Sequence, residues 1–120
     1  METVLVLEDD EDNLLVLEAA LEMSGFAVRT ARSCAEAEVE LGRGGVDALV
    51  SDYSLGDCNA VDWLKQMGEQ RPKVALLLTG YGDPEARARS KEAGFFAHLL
   101  KPIAPAELER QLREALAARR

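Results

Sequence analysis

Residues 4–13 read VLVLEDDEDN. The four leading aliphatic residues are continuous rather than alternating, the pattern of a strand covered on both faces, as in a parallel sheet. They run straight into five carboxylates, Glu8, Asp9, Asp10, Glu11 and Asp12, with no basic residue beside them. Four further apolar runs stand out: FAV (26–28), DALV (47–50), VALLL (74–78) and FFAHLL (95–100). In chain order these are the expected strands β1 to β5.

Stretches of helical length separate them. In the expected α1, Leu14, Leu17 and Leu21 repeat at helical spacing. Val61, Leu64 and Met67 do the same in α3, and Leu108, Leu112 and Leu116 step by four in α5. After Ser33 the apolar residues alternate like a strand, but Ser33 and Glu36 form a capping box and the residues are mostly Ala and Glu, so α2 is expected there. Asp83-Pro84 opens α4 with Asp as N-cap and Pro in the first turn. Five β-α units with short connections and right-handed crossovers give a doubly wound three-layer α/β sandwich. Residues 1–120 read as one domain without repeats or linkers.

A net charge of −8, from 22 acidic and 14 basic residues, disfavours nucleic acid and anionic membranes as partners. It suits a hard cation or a basic protein surface. Cys34 and Cys58 read as free thiols of a reducing compartment. With no leader pattern and no apolar span, the expected location is the cytoplasm.

Ligands of open α/β sheets bind beyond the carboxyl ends of the strands. There β1 delivers Glu8 and Asp9, β3 ends in Ser51-Asp52, β4 in Thr79-Gly80, and β5 in Lys101-Pro102. Carboxylates at strand ends suit Mg²⁺, which takes oxygen ligands. An ammonium and a hydroxyl can hold phosphoryl oxygens, and a carboxylate can be the nucleophile that forms an aspartyl-phosphate.

In order and spacing, Glu8-Asp9, Asp52 in VSDYSLGDCNAVDWL, Thr79 in LLLTGYG and Lys101 in HLLKP resemble the receiver domains of two-component response regulators, the CheY-like family, over essentially the whole chain. The resemblance implies a flavodoxin-like (βα)5 fold with a five-stranded parallel sheet. It implies that Asp52 accepts a phosphoryl group from the phosphohistidine of a histidine kinase or histidine phosphotransfer domain. Mg²⁺ would be held by Asp9, Asp52 and the backbone carbonyl of Ser54, with Glu8 acting directly or through water. Thr79 and Lys101 would move onto the phosphoryl oxygens, and the α4-β5-α5 face would pass the change to a downstream protein. The Lys101-Pro102 bond is expected to be cis.

Several positions depart from the family pattern. Glu8 replaces the more usual Asp, and Leu55-Gly56 and Asn59-Ala60 stand where Met-Pro and Asp-Gly are common. His98 falls at the aromatic switch position and admits two readings, a switch residue or a packed histidine. Ser54 and Tyr81, two residues past Asp52 and Thr79, would tune attack of water on the phosphoryl group, with a bulky Tyr81 prolonging its lifetime. The helix DPEARARSKEAG (83–94) has alanines as its only apolar residues and would shift at low cost. His98 and the Ala-Ala-Arg-Arg end suggest a receiver cut from a hybrid sensor kinase, with a single-domain regulator as the other form. The rival readings are an interaction module that is never phosphorylated, a Mg²⁺-dependent phosphatase and a flavin binder. The phosphatase lacks a second acid, since Ser54 occupies that place. The flavin binder lacks a neutral phosphate loop after β1.

Overall fold

The computed structural model describes residues 1–80 and 84–119. Among them, strands β1 Thr3–Leu7, β2 Ala27–Ala31, β3 Ala48–Asp52, β4 Ala75–Thr79 and β5 Ala97–Leu100 alternate with helices α1 Glu11–Met23, α2 Cys34–Gly42, α3 Ala60–Met67, α4 Pro84–Ala93 and α5 Pro105–Arg119. A 3₁₀ turn, Gly68–Gln70, follows α3. All strand pairings are parallel, in the order β2-β1-β3-β4-β5. The doubly wound sandwich read from the sequence is the fold.

The continuous apolar runs are explained by a core on each side of the sheet. Val4, Val6, Val50, Leu76 and Leu78 pack with Leu14 and Leu21 of α1 and with Leu108, Leu112 and Leu116 of α5. The alternate positions, Leu5, Leu7, Leu49 and Leu77, pack on the other side with Ala37 of α2 and Trp63 and Leu64 of α3. Successive side chains of a strand point to opposite faces, so a strand buried on both must be apolar throughout. The two edge strands are the exceptions: β5 carries a half-buried His98 and an exposed Leu100, and β2 is only half-buried over most of its length. Strand β2 extends past the FAV run through Arg29 and Thr30, because it lies at the sheet edge and pairs only with β1. Arg29 is held there by Glu40, 2.9 Å away, and by the Gly44 carbonyl at 2.7 Å.

The helix ends follow local chemistry. Ser33 caps α2, its hydroxyl accepting the Glu36 N–H at 3.1 Å, while the Glu36 carboxylate takes the Arg32 N–H rather than that of the cap residue. Pro84 is the first residue of α4, and the expected cap Asp83 lies outside the described residues. Helix α4 ends on Gly94 (φ 113°), with the Gly94 N–H on the Lys91 carbonyl and the Phe95 N–H on the Ser90 carbonyl, each at 3.1 Å. This is a Schellman motif, which needs a left-handed residue that glycine supplies at least cost.

At the amino ends of the strands, the Asp47 carboxylate accepts the Thr3 N–H at 2.8 Å and lies 3.8 Å from Arg119 of α5. No helix among the described residues is long and apolar enough to cross a membrane.

The cysteines differ from expectation. Cys34 and Cys58 are joined by a disulfide, with Cα atoms 6.3 Å apart, and are not free thiols. Their separation of 24 residues conceals that β2 and β3 flank β1. That order brings the first turn of α2 against the loop that follows β3.

Candidate functional site

Strand order reverses between β1 and β3, and the crevice of such a sheet opens at that point beyond the strand ends. The backbone register delivers three acids there. Glu8, just past β1, is anchored by its N–H on the Ala31 carbonyl at 3.0 Å and is only 1% exposed. Asp9 follows it, its carbonyl accepting from Arg32 at 3.1 Å. Asp52 closes β3. One carboxylate oxygen from each of Glu8, Asp9 and Asp52 lies within 4.8 Å of the others.

Three anionic side chains so close repel one another unless a cation intervenes. Lys101 supplies one: its Nζ lies 2.6 Å from Asp52 Oδ1 and 3.3 Å from Glu8 Oε1. The Lys101 N–H donates to the Thr79 carbonyl at 2.8 Å, which fixes the chain leaving β5, and the Lys101-Pro102 bond is cis. Burial opposes the Lys101 charge, but the hydrogen bond and charge of Asp52, with Glu8 behind them, outweigh it and raise the ammonium pKa. Burial, aided by the Asp52 charge, pushes the Glu8 carboxyl up, against hydrogen bonds from the Asp10 N–H and Lys101. The two partners do not move in mirror image because Glu8 answers to desolvation more than to its lysine.

The donor set consists of hard carboxylate oxygens, with no imidazole or thiol among them, and so suits a hard divalent cation. Beside it a hollow of about 410 Å³ opens between Lys101, Pro102 and Ile103 on one side and Asn13 and Leu17 of α1 on the other. A larger hollow of about 690 Å³ lies against α2 and α3, away from the strand ends. Its Glu38 accepts the Trp63 indole N–H at 3.1 Å.

The other expected residues are placed as follows. Thr79 is buried at the end of β4, one position beyond Leu78, the register partner of Asp52. Ser54 lies in the tight β3–α3 loop, bridged to Asn59, whose side chain caps α3 by accepting the Val61 and Asp62 N–H groups. His98 is half-buried on β5 and is turned to α4, where its Nδ1 lies 3.1 Å from Ser90 Oγ. The Ser90 Oγ also lies 3.0 Å from the Arg87 carbonyl, so the hydroxyl sits between α4 backbone and the imidazole. Tyr81 lies outside the described residues.

Two residues escaped the sequence reading. Ser90 is 1% exposed and ties α4 to β5, but nothing in DPEARARSKEAG distinguishes an inward serine. Asp57 accepts the Cys34 and Ala35 N–H groups at 3.0 and 3.2 Å, capping α2 from a distant loop. Cap signals are sought next to their helix, and this one is 23 residues away.

A family model, the response regulator receiver domain, matches residues 4–113. The alginate biosynthesis transcriptional regulatory protein AlgB of Pseudomonas putida KT2440 is 32% identical over 106 residues, 88% of this chain and 24% of that protein. The transcriptional regulatory protein CpxR of Escherichia coli K12 is 29% identical over 97% of this chain and 50% of its own length. The chain thus spans a quarter to a half of these curated relatives. Among solved structures, the beryllofluoride-activated NtrC4 receiver domain dimer is similar at a TM-score of 0.92 and 26% identity, each chain covering 100% of the other. With the family pattern spread over nearly its whole length, and with its acids and lysine gathered at the strand ends, the chain belongs to the response regulator receiver domain family.

Proposed function

We propose that residues 1–120 form one receiver domain that accepts a phosphoryl group on Asp52 from a phosphohistidine. An Asp52 carboxylate oxygen attacks phosphorus, the P–O bond forms, and the P–N bond breaks with its electron pair returning to the imidazole of the donor. Mg²⁺, held by Asp9, Asp52 and the Ser54 carbonyl with Glu8 beside it, would neutralise charge on the transferring group. Lys101 and Thr79 would take its oxygens. The observation that carries this reading is the Lys101 ammonium bridging Asp52 and Glu8 inside a three-carboxylate cluster. A nucleophile, its counter-charge and a set of metal ligands thus share one strand edge.

The domain catalyses its own phosphorylation and slow dephosphorylation, tuned at Ser54 and Tyr81, and works in the cytoplasm. Its partners are a histidine kinase or phosphotransfer domain and a downstream protein reached through α4, β5 and α5, with His98 and Thr79 in the switch. It makes no direct contact with nucleic acid or membrane. Whether free-standing or joined to other domains, the chemistry is the same. Incubation with acetyl phosphate and Mg²⁺ followed by intact-mass measurement tests it. A single phosphate adduct, absent from Asp52→Asn, is expected. No adduct would leave an unphosphorylated interaction module as the better reading.

A further inference from the structure

The Cys34–Cys58 bond plays no part in the phosphoryl chemistry, yet it fastens the loop that chemistry depends on. Cys58 lies between Ser54 and the α3 cap Asn59, in a loop closed by the Leu55 N–H on the Cys58 carbonyl at 3.1 Å and by the Ser54–Asn59 bridge. Cys34, buried, is the first residue of α2. The segment just before it backs the acidic pair, through Ala31 to Glu8 and through Arg32 to Asp9. The sulfur bridge therefore ties the two walls of the site together. The neighbouring Asp57 carboxylate makes the same tie without a covalent bond, by accepting the Cys34 and Ala35 N–H groups.

We propose that Cys34 and Cys58 are a reversible dithiol–disulfide pair that sets the mobility of the phosphoacceptor loop, residues 53–59. The inference rests on the cytoplasmic receiver reading above, because a permanent disulfide is uncommon in a reducing compartment and those found there are mostly transient or redox-sensing. Asp57 holds the loop against α2 when the bond is open, so the two sulfurs stay within reach and closure needs little movement. Cys58 is the more accessible of the two and starts the exchange. Its thiolate attacks one sulfur of a low-molecular-weight disulfide and releases one thiol. The Cys34 thiolate then attacks Cys58 sulfur and releases the second. Two electrons pass from the cysteines to the reagent, and two protons end on its thiols. Opening is the reverse, with a small thiol as reductant.

The test uses the full chain in oxidised and reduced glutathione buffers, with thiol blocking and mass measurement to count free cysteines. Two blocked thiols are expected under reduction and none under oxidation. Amide hydrogen exchange over residues 53–59 should be slower in the bonded form, by roughly threefold or more. Cys58→Ala, at a half-buried position that tolerates the change, should exchange at the reduced rate in either buffer. Thiols that stay open to blocking in oxidised glutathione, a bond that stays closed in reduced glutathione, or loop exchange that is equal in both forms, would overturn the proposal. Acetyl phosphate labelling of Asp52 in Cys58→Ala is a separate arm. Loss of labelling in every form counts against the phosphoacceptor reading, while the exchange data still decide the cysteine pair.

Discussion

Lys101 stands between Asp52 and Glu8, with its ammonium 2.6 Å from one carboxylate and 3.3 Å from the other. Without metal, this single cation offsets two acids in a crevice that water only partly reaches. Removing it leaves the acids to repel each other. Lys101→Ala should destabilise the metal-free protein by about 1–2 kcal/mol, less than a fully buried pair would lose because the lysine is a third exposed. Millimolar Mg²⁺ should return part of that loss by taking over the neutralisation. Urea unfolding of both proteins, with and without Mg²⁺, reads the effect. An unchanged midpoint in Lys101→Ala would mean that the bridge contributes nothing.

Asp9 is the most solvent-exposed of the three acids and does not pair with Lys101, so its expected work is metal binding. Asp9→Asn should weaken Mg²⁺ by about tenfold, roughly 1.4 kcal/mol, with little effect on metal-free stability. Titration calorimetry gives the first quantity and urea unfolding the second. Equal Mg²⁺ affinity in the two proteins would remove Asp9 from the ligand set.

Ser90 holds His98 to α4 from a buried position. Ser90→Ala removes that hydrogen-bond partner of His98, at a cost of about 1 kcal/mol. It also releases α4, so hydrogen exchange in 86–93 should quicken more than exchange in α5. A uniform change across both helices would show that the contact does not anchor α4 in particular.

Gly94 combines a left-handed backbone with the Arg71 guanidinium lying over its Cα, where a methyl group would stand. That guanidinium donates to the Ala93 carbonyl at 2.8 Å. Gly94→Ala must disturb one or the other and should cost roughly 1–2 kcal/mol. Arg71→Ala in the same background should relieve part of the penalty. A strictly additive double mutant, measured by urea unfolding, would show that backbone strain alone is responsible.

Glu107, in the first turn of α5, is hydrogen-bonded by Arg110 and then Gln111, which bring its carboxyl from 4.5 down to about 2. A carboxyl held below its unfolded value stabilises the fold above that value. The contribution is complete above about pH 4.5 and fades as the pH falls toward 2. The advantage of wild type over Glu107→Gln in thermal unfolding should therefore shrink between pH 5 and pH 2. A difference constant across that window would contradict the assignment.

Much of this was legible in the residues because the fold rests on patterns that are local. The continuous apolar runs of β1, β3 and β4 mark strands buried on both faces, whereas the runs at β2 and β5 lie at the sheet edges and are only partly covered, with Leu100 45% exposed. One rule, that the carboxyl ends of parallel strands share an edge, places Glu8, Asp9, Asp52 and Lys101 together, and the sheet brings them together. What stayed hidden depends on contacts between distant segments. β2 looked too short because an edge strand can carry Arg29. The cysteine pair and the Asp57 cap needed the strand order, which composition does not give. The contact of His98 with Ser90 joins β5 to α4, two segments whose packing a local pattern does not give.

Asp47 accepts Thr3 at the start of β1 and lies close to Arg119 near the end of α5, so the beginning and the end of the described chain meet at the foot of β3. Strand β1 is five residues long, about 16 Å from foot to tip. The molecule is therefore polarised, with both described chain ends at one pole and the acidic crevice at the other. A dye, a surface anchor or a fused reporter placed at either end would ride behind the sheet. It could follow the behaviour of the acidic crevice without standing in front of it.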